Sequence, residues 1–169
     1  DRLRRRQPTE APLILTAELG RYRGGPEALW QLATRHAIGV VEFGKRNYFN
    51  LATDCPAHLG FSPSPHLEQA DLVLAIEDPV PFIPAFTALP GGHVPTFIQL
   101  GVDPLHGDLP MRGFPVDLAL PGDPAETLRL LTRLLDAAPP PSADARRESL
   151  QRAHEAAFRS PDYPWPRDP

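Results

Sequence analysis

The sequence has very little cysteine, no long apolar run and no strong excess of one charge. Cys55 is the single cysteine in 169 residues, which excludes an internal disulfide and a multi-thiolate metal site and fits a reducing compartment. No apolar run approaches the roughly 20 residues that cross a bilayer, and no signal-peptide pattern is present, so we expect a cytoplasmic protein that makes no membrane contact. The formal charge is −4, and the only basic run lies at residues 2–6, which argues against nucleic acid as a partner.

Apolar, strand-like segments alternate with helical ones along the chain. Near-continuous apolar strands separated by helices are typical of a parallel sheet that is covered on both faces and built with right-handed crossovers. The pattern therefore predicts an α/β, Rossmann-like three-layer fold with a mostly parallel sheet of about six strands. The predicted strands include 12–19, 38–43, 71–77, 96–101 and 116–120, and the main helices are 26–37, 123–135 and 145–160.

The helix after the last strand has the clearest start signal. Asp123 is its expected N-cap, with Pro124 at the first position and Glu126 reaching back in a capping box. Leucines at 128, 131, 134 and 135 are expected to share one face.

Composition shifts divide the chain into three parts. Residues 1–10 are expected to be an N-terminal connector and 11–137 a central domain. A Pro-rich linker and a C-terminal amphipathic helix are expected to fill 138–169, with the helix leading into or packing on a neighbouring domain. Because both ends look severed and no start methionine is present, we expect the chain to be part of a longer protein.

Ligands of a doubly wound sheet bind at the carboxyl ends of its strands. After the first strand, Gly20, Gly24 and Gly25 lack the Gly-x-Gly-x-x-Gly spacing of a dinucleotide site. Arg21 and Arg23 could contact a phosphate, although solvated loop arginines are the commoner case.

The acids that follow later strands have two interpretations. Asp103 could contact a nucleotide ribose, but an Asp-Pro pair at a strand end more often shapes a turn through its own side chain. The same choice holds for Glu77 and Asp78.

A cluster of Asp54, Cys55 and His58 suggests a thiol nucleophile or a metal site, but two ligands and one acid are too few to specify either. A lone cysteine is usually a small buried hydrophobe. We therefore predict no catalytic residue and no metal ligand in this chain.

Three ordered segments resemble the central domain of thiamine-diphosphate-dependent enzymes of the acetolactate synthase and benzoylformate decarboxylase group. They are Ala70–Leu74 (ADLVL), Gln99–Pro104 (QLGVDP, against I-D-x-D-P) and Asp117–Leu130, in which Gly122-Asp123 opens a leucine-rich helix. The similarity covers roughly residues 11–136 and implies a Rossmann-like fold of the DHS-like NAD/FAD-binding type.

The resemblance also implies a three-domain parent enzyme that makes or breaks a carbon–carbon bond next to the carbonyl of a 2-oxo acid. Thiamine diphosphate and magnesium would be bound by a pyrimidine-binding domain before this segment and a diphosphate-binding domain after it. The partners of this chain would be those flanking domains, and the parent is expected to be a homo-oligomer.

In acetolactate synthases the central domain also holds flavin, and in some relatives an adenine nucleotide. Only Asp103, Gly122 and Asp123 match that pattern, as a vestigial nucleotide site. Position 101 is glycine instead of the first acid of I-D-x-D-P, and Glu18 would face and repel a pyrophosphate. We therefore expect no cofactor here, neither FAD nor ADP, and an architectural role.

Two alternatives stay open at this point. One is a nucleotide- or flavin-binding module that uses the loops after the first and fourth strands, and the other is a free-standing hydrolase built on Asp54, Cys55 and His58. The loop from Gly44 to Pro65 is also unassigned, because Asn47, Tyr48 and Phe49 could face a partner domain or pack as a lid over the sheet edge.

Overall fold

The computed structural model describes residues 10–43, 47–82, 95–109, 114, 116–139 and 143–158. Within those ranges the chain forms five strands and four α-helices in an alternating order. They are β1 Pro12–Thr16, α1 Gly25–His36, β2 Gly39–Glu42, α2 Ser64–Leu67, β3 Leu72–Ile76, β4 Thr96–Gly101, β5 Leu118–Pro121, α3 Pro124–Ala137 and α4 Ala143–Phe158, with a 3₁₀ turn at Leu19–Arg21.

The five strands form one open, parallel sheet in the order β2-β1-β3-β4-β5. The α/β, Rossmann-like prediction is therefore confirmed. The expected number of about six strands is too high for the described residues, because a single parallel bridge between Val40 and His58 occupies the place of a further strand beside β2. The chain moves outward from β1 to β2 and then crosses to β3 on the other side, so the topological switch lies between β1 and β3.

Alternating strand residues supply two apolar layers, one on each side of the sheet. Ile14, Val40 and Leu74 pack on the side covered by α1 and α3. Leu13, Val41 and their neighbours pack on the other side, where Leu150 and Ala153 of α4 lie against them. Every residue of β2 is buried, as expected for a parallel strand covered on both faces.

The first strand is shorter than the predicted 12–19. It ends at Thr16, whose hydroxyl donates to the Ile76 carbonyl over 3.0 Å, and the chain then tightens into the 3₁₀ turn. An apolar run alone does not distinguish a strand from a buried turn of this kind.

The predicted N-cap Asp123 and the proline at the first position of α3 are confirmed, but the predicted reach of Glu126 back to the N-cap is wrong and so is part of the predicted apolar face. Asp123 Oδ1 accepts from the Glu126 N–H over 3.0 Å, while the Glu126 carboxylate pairs with Arg129. Leu128 is fully buried, whereas Leu134 is 59% exposed. At 100° per residue Leu134 lies about 120° from Leu128, outside the stripe that faces the core.

The C-terminal helix α4 contacts the sheet domain through both polar and apolar groups. Arg146 donates to the carbonyls of His36 and Ala37, which are the last acceptors of α1. His154 Nδ1 lies 2.8 Å from the His58 carbonyl, and Phe158 packs edge-on against the His58 ring. The helix that the sequence predicts to lead into or pack on a neighbouring domain thus packs on the sheet domain itself. The boundaries at residues 10 and 137 stay predictions.

Candidate functional site

A groove of about 570 Å³ opens at the carboxyl ends of β1, β3 and β4. This is the switch-point position where doubly wound sheets bind their ligands. Its lining comes from the loops that follow those strands: Glu18, Arg21, Tyr22, Glu77, Pro79, Val102, Asp103, His106, Asp108 and Leu109.

Glu77 holds the three strand-end loops together. Its N–H donates to the Leu100 carbonyl over 3.0 Å and its carbonyl accepts from the Glu18 N–H over 3.2 Å. Its Oε1 accepts from the Val102 N–H over 2.7 Å, and the residue is only 9% exposed. The backbone reaches this position with a φ of 45°, in the left-handed region that non-glycine residues rarely adopt.

Tyr22 completes the surroundings of the Glu77 carboxylate. Burial, followed by the hydrogen bond to Glu77, raises the pKa of Tyr22 to about 12. The phenol is therefore protonated at neutral pH. The Glu77 carboxylate accepts from the Val102 N–H, a donor that carries no formal charge.

The glycine at position 101 makes room for this carboxylate. A Cβ placed on Gly101 would lie 2.6 Å from Glu77 Oε1. Gly101, which departs from the I-D-x-D-P pattern, thus leaves the space that Glu77 occupies. Any side chain at position 101 would displace the Glu77 carboxylate.

Glu18 and Arg21 at the rim of the groove pair with each other, whereas the sequence suggested that each would face a ligand phosphate. Glu18 Oε2 pairs with Arg21 Nη1 over 2.8 Å, and the Arg21 guanidinium also lies 5.9 Å from the centroid of the Tyr48 ring. The charge of Glu18 is thus balanced by its neighbour. Arg23 is exposed and lies outside the groove lining.

Asp103 lies in the groove lining and shapes the turn after β4. Its Oδ2 accepts from the Gly107 N–H over 2.7 Å, and this hydrogen bond is the main cause that lowers the pKa of Asp103. The turn interpretation of the Asp-Pro pair is therefore observed, and a ligand contact by Asp103 stays a prediction.

The other two predicted site residues lie beside the groove and have structural partners. The Gly122 N–H donates to the Gly101 carbonyl over 2.9 Å, and Asp123 caps α3 through Glu126. Their presence in a vestigial nucleotide site likewise stays a prediction.

A buried polar network at the ends of β1 and β2 was not predicted from the sequence. Glu42 is 5% exposed, and its carboxylate accepts from Asn50 Nδ2 over 2.8 Å and from His58 Nε2 over 3.0 Å. Asn50 also donates to the Ala17 carbonyl and accepts from the Gly20 N–H, each over 3.0 Å. A fully buried asparagine in the loop 47–60 thereby holds that loop against the end of β1.

The same network explains why Cys55 and His58 do not form a catalytic pair. His58 Nδ1 accepts from the Gly60 N–H over 3.0 Å, so its proton is on Nε2 and is directed to Glu42. Both ring nitrogens are thus occupied by groups other than the thiol. Cys55 is fully buried and burial raises the pKa of its thiol, while Asp54 is exposed. A thiol of this kind is a poor nucleophile.

The described ranges show neither a cluster of metal ligands nor a helix of membrane-spanning character. No group of three or more His, Cys, Asp or Glu side chains in them could hold a metal ion. Of the helices α1 to α4, none is long and apolar enough to span a membrane.

Comparison with known proteins identifies the fold through structure and not through sequence. No family model and no curated protein matches the chain. Among solved structures, a protein from Mycobacterium smegmatis described as a thiamin diphosphate-dependent enzyme matches 75% of this chain with 23% identity and a TM-score of 0.54. The thiamine diphosphate-dependent 4-hydroxybenzoylformate decarboxylase of Rhodococcus jostii RHA1 matches 80% of the chain with 19% identity and a TM-score of 0.60.

The chain shares the fold of one part of these enzymes. It spans 25% of the length of the first and 26% of the second, so each contains about three times as much protein outside the matched region. The resemblance noted in the sequence thus extends to the fold, and the placement in the central domain is a proposal.

Proposed function

We propose that this chain is the central, non-catalytic domain of a thiamine-diphosphate-dependent enzyme of the acetolactate synthase-like group. In this proposal it separates a pyrimidine-binding domain from a diphosphate-binding domain and keeps both in position. The main support is that two solved structures described as thiamine diphosphate-dependent enzymes match 75% and 80% of this chain but only about a quarter of their own length.

The side chains of the groove support an architectural role. The Glu77 and Asp103 carboxylates accept from backbone N–H groups within the domain, and the acid–histidine pair Glu42–His58 is buried. None of these arrangements supplies an accessible nucleophile or an acid–base pair.

Exposed apolar residues at the same sheet edge support contact with a flanking domain. Phe49, Val102 and Leu105 are 66%, 63% and 55% exposed, and all three lie in loops at the carboxyl ends of the strands. Exposed apolar groups clustered at one edge of a protein often mark an interaction site. We propose that a neighbouring domain of the parent homo-oligomer covers them.

When bound in the parent, thiamine diphosphate would supply the electron sink for cleavage or formation of the bond next to a 2-oxo acid carbonyl. The cofactor and its magnesium would be held by the flanking domains, in a cytoplasmic enzyme. The chain described here would position those domains.

The experiment is to express the complete gene product and measure CO₂ release from a panel of 2-oxo acids with thiamine diphosphate and Mg²⁺. We expect turnover that disappears when either the cofactor or the metal is omitted. A gene product that turns over none of the panel and binds no thiamine diphosphate would contradict the proposal.

A further inference from the structure

The switch-point groove already contains a negative charge. In a doubly wound sheet, the backbone N–H groups at the strand ends are the donors available to a ligand phosphate or ribose. Here the Val102 N–H donates to Glu77 Oε1 over 2.7 Å. The carboxylate thus uses the donor that an anionic ligand would need.

We propose that Glu77 selects against anionic ligands, so that its carboxylate excludes nucleotide and flavin phosphates from the groove. Only the architectural role of the domain is taken from the proposed function, and the exclusion of anions gives that role a physical basis. The exclusion itself follows from the groove geometry.

Glu77 is a better candidate for this exclusion than Glu18, which the sequence suggested. Glu18 is balanced by Arg21 at 2.8 Å, so the pair adds little net charge to the groove. Glu77 is 91% buried, and its Oε1 accepts from the Val102 N–H, which carries no formal charge. A buried carboxylate in a medium of reduced dielectric repels a nearby phosphate more strongly than an exposed, paired one.

The groove is large enough for this selection to matter. Its volume is about 570 Å³, within the range of small-molecule sites. The Asp103 and Asp108 carboxylates at its mouth add to the negative potential, but they are solvated.

The test uses Glu77→Gln, which removes the charge and keeps an oxygen that can accept from Val102. The matched control is Asp54→Asn, which changes the net charge by the same amount at an exposed position outside the groove. Inorganic pyrophosphate and ADP are titrated into each protein and the heat is measured.

At about 1 mM ligand we expect no saturable binding to the wild type or to Asp54→Asn. Glu77→Gln should bind the same ligands at least about tenfold more tightly than either of these proteins. Equal affinities for Glu77→Gln and Asp54→Asn would overturn the proposal. Saturable binding of ADP to the wild-type chain would overturn it as well.

A second variant displaces the carboxylate without removing it. Gly101→Ala places a Cβ within 2.6 Å of Glu77 Oε1, and a flexible side-chain end can move away at low cost. We expect faster hydrogen exchange at the Val102 amide in Gly101→Ala and in Glu77→Ala than in wild type. Unchanged exchange in both variants would show that the carboxylate does not hold this amide.

These results are independent of the test of the proposed function. Loss of CO₂ release from the complete gene product would leave the Glu77 titrations unaffected. Equal ligand affinities would in turn leave the domain assignment intact.

Discussion

Asn50 is the residue whose replacement is expected to cost the most stability for its size. It accepts from Gly20 and donates to Ala17 and Tyr48 at 3.0–3.2 Å, and it donates to the Glu42 carboxylate over 2.8 Å. Its two N–H hydrogens serve these three acceptors, so at about 1 kcal/mol for a neutral hydrogen bond and about 2 kcal/mol for one to a charge, Asn50→Ala should lower the free energy of unfolding by about 4 kcal/mol.

That loss is a large part of the total stability of an ordinary domain, which is about 5–15 kcal/mol. Urea unfolding followed by circular dichroism measures it, and the melting temperature should fall by about 10 °C or more. Asn47→Ala is the matched control, because Asn47 is an exposed asparagine in the same loop. Equal stabilities of Asn50→Ala and Asn47→Ala would refute the role given to this network.

Asn50→Asp adds a pH dependence to the same prediction. The substitution puts a carboxylate oxygen about where Nδ2 lies, 2.8 Å from Glu42 Oε2 and within 3.2 Å of two carbonyls. Repulsion raises the pKa of the introduced carboxyl in the folded state above its unfolded value of about 3.9.

A group with a raised folded pKa stabilises the fold below its unfolded pKa, and that contribution is lost as the pH rises through the folded value. The stability difference between Asn50→Asp and wild type should therefore be smallest near pH 4 and grow towards pH 8, by about 1.4 kcal/mol for each unit of pKa shift. Measuring urea unfolding of both proteins at several pH values checks this. A constant difference would contradict the burial of the two carboxylates.

Three further predictions concern the helices and the thiol. Arg146→Ala removes two hydrogen bonds to the end of α1 and should cost about 2 kcal/mol, more than the same change at the more exposed Arg147, as chemical denaturation will show. Leu128→Ala should lower the free energy of unfolding by about 2–5 kcal/mol, and Leu134→Ala should leave it almost unchanged. Equal losses in the two variants would contradict the buried face assigned to α3. Cys55 should react with a thiol reagent only as fast as the fold opens, and rapid labelling of the native protein at neutral pH would contradict its burial and raised pKa.

The sequence allowed the fold class to be predicted because its strands are short apolar runs that end in glycine, proline or acids. β3 and β4 lie within one residue of their predicted bounds, and Asp123 caps α3 as expected. Leu134 was misplaced because five leucines in the eight residues 128–135 fit more than one helical stripe.

The site was harder to predict because its contacts join residues that are far apart in the chain. Glu77 meets Gly101 and Tyr22 only once β1, β3 and β4 lie side by side. In the sequence Glu77 is one acid before a proline-rich loop, and nothing nearby indicates that it is buried. The partners of Asn50 likewise come from three separate segments, and no local pattern identifies an asparagine that will be buried.

The most direct test of the central claim is a calorimetric titration of thiamine diphosphate with Mg²⁺ into this chain and into the complete gene product. We expect saturable binding by the complete product and none by the chain of 169 residues. Saturable binding by this chain alone would contradict the claim that the reacting cofactor is held by other domains.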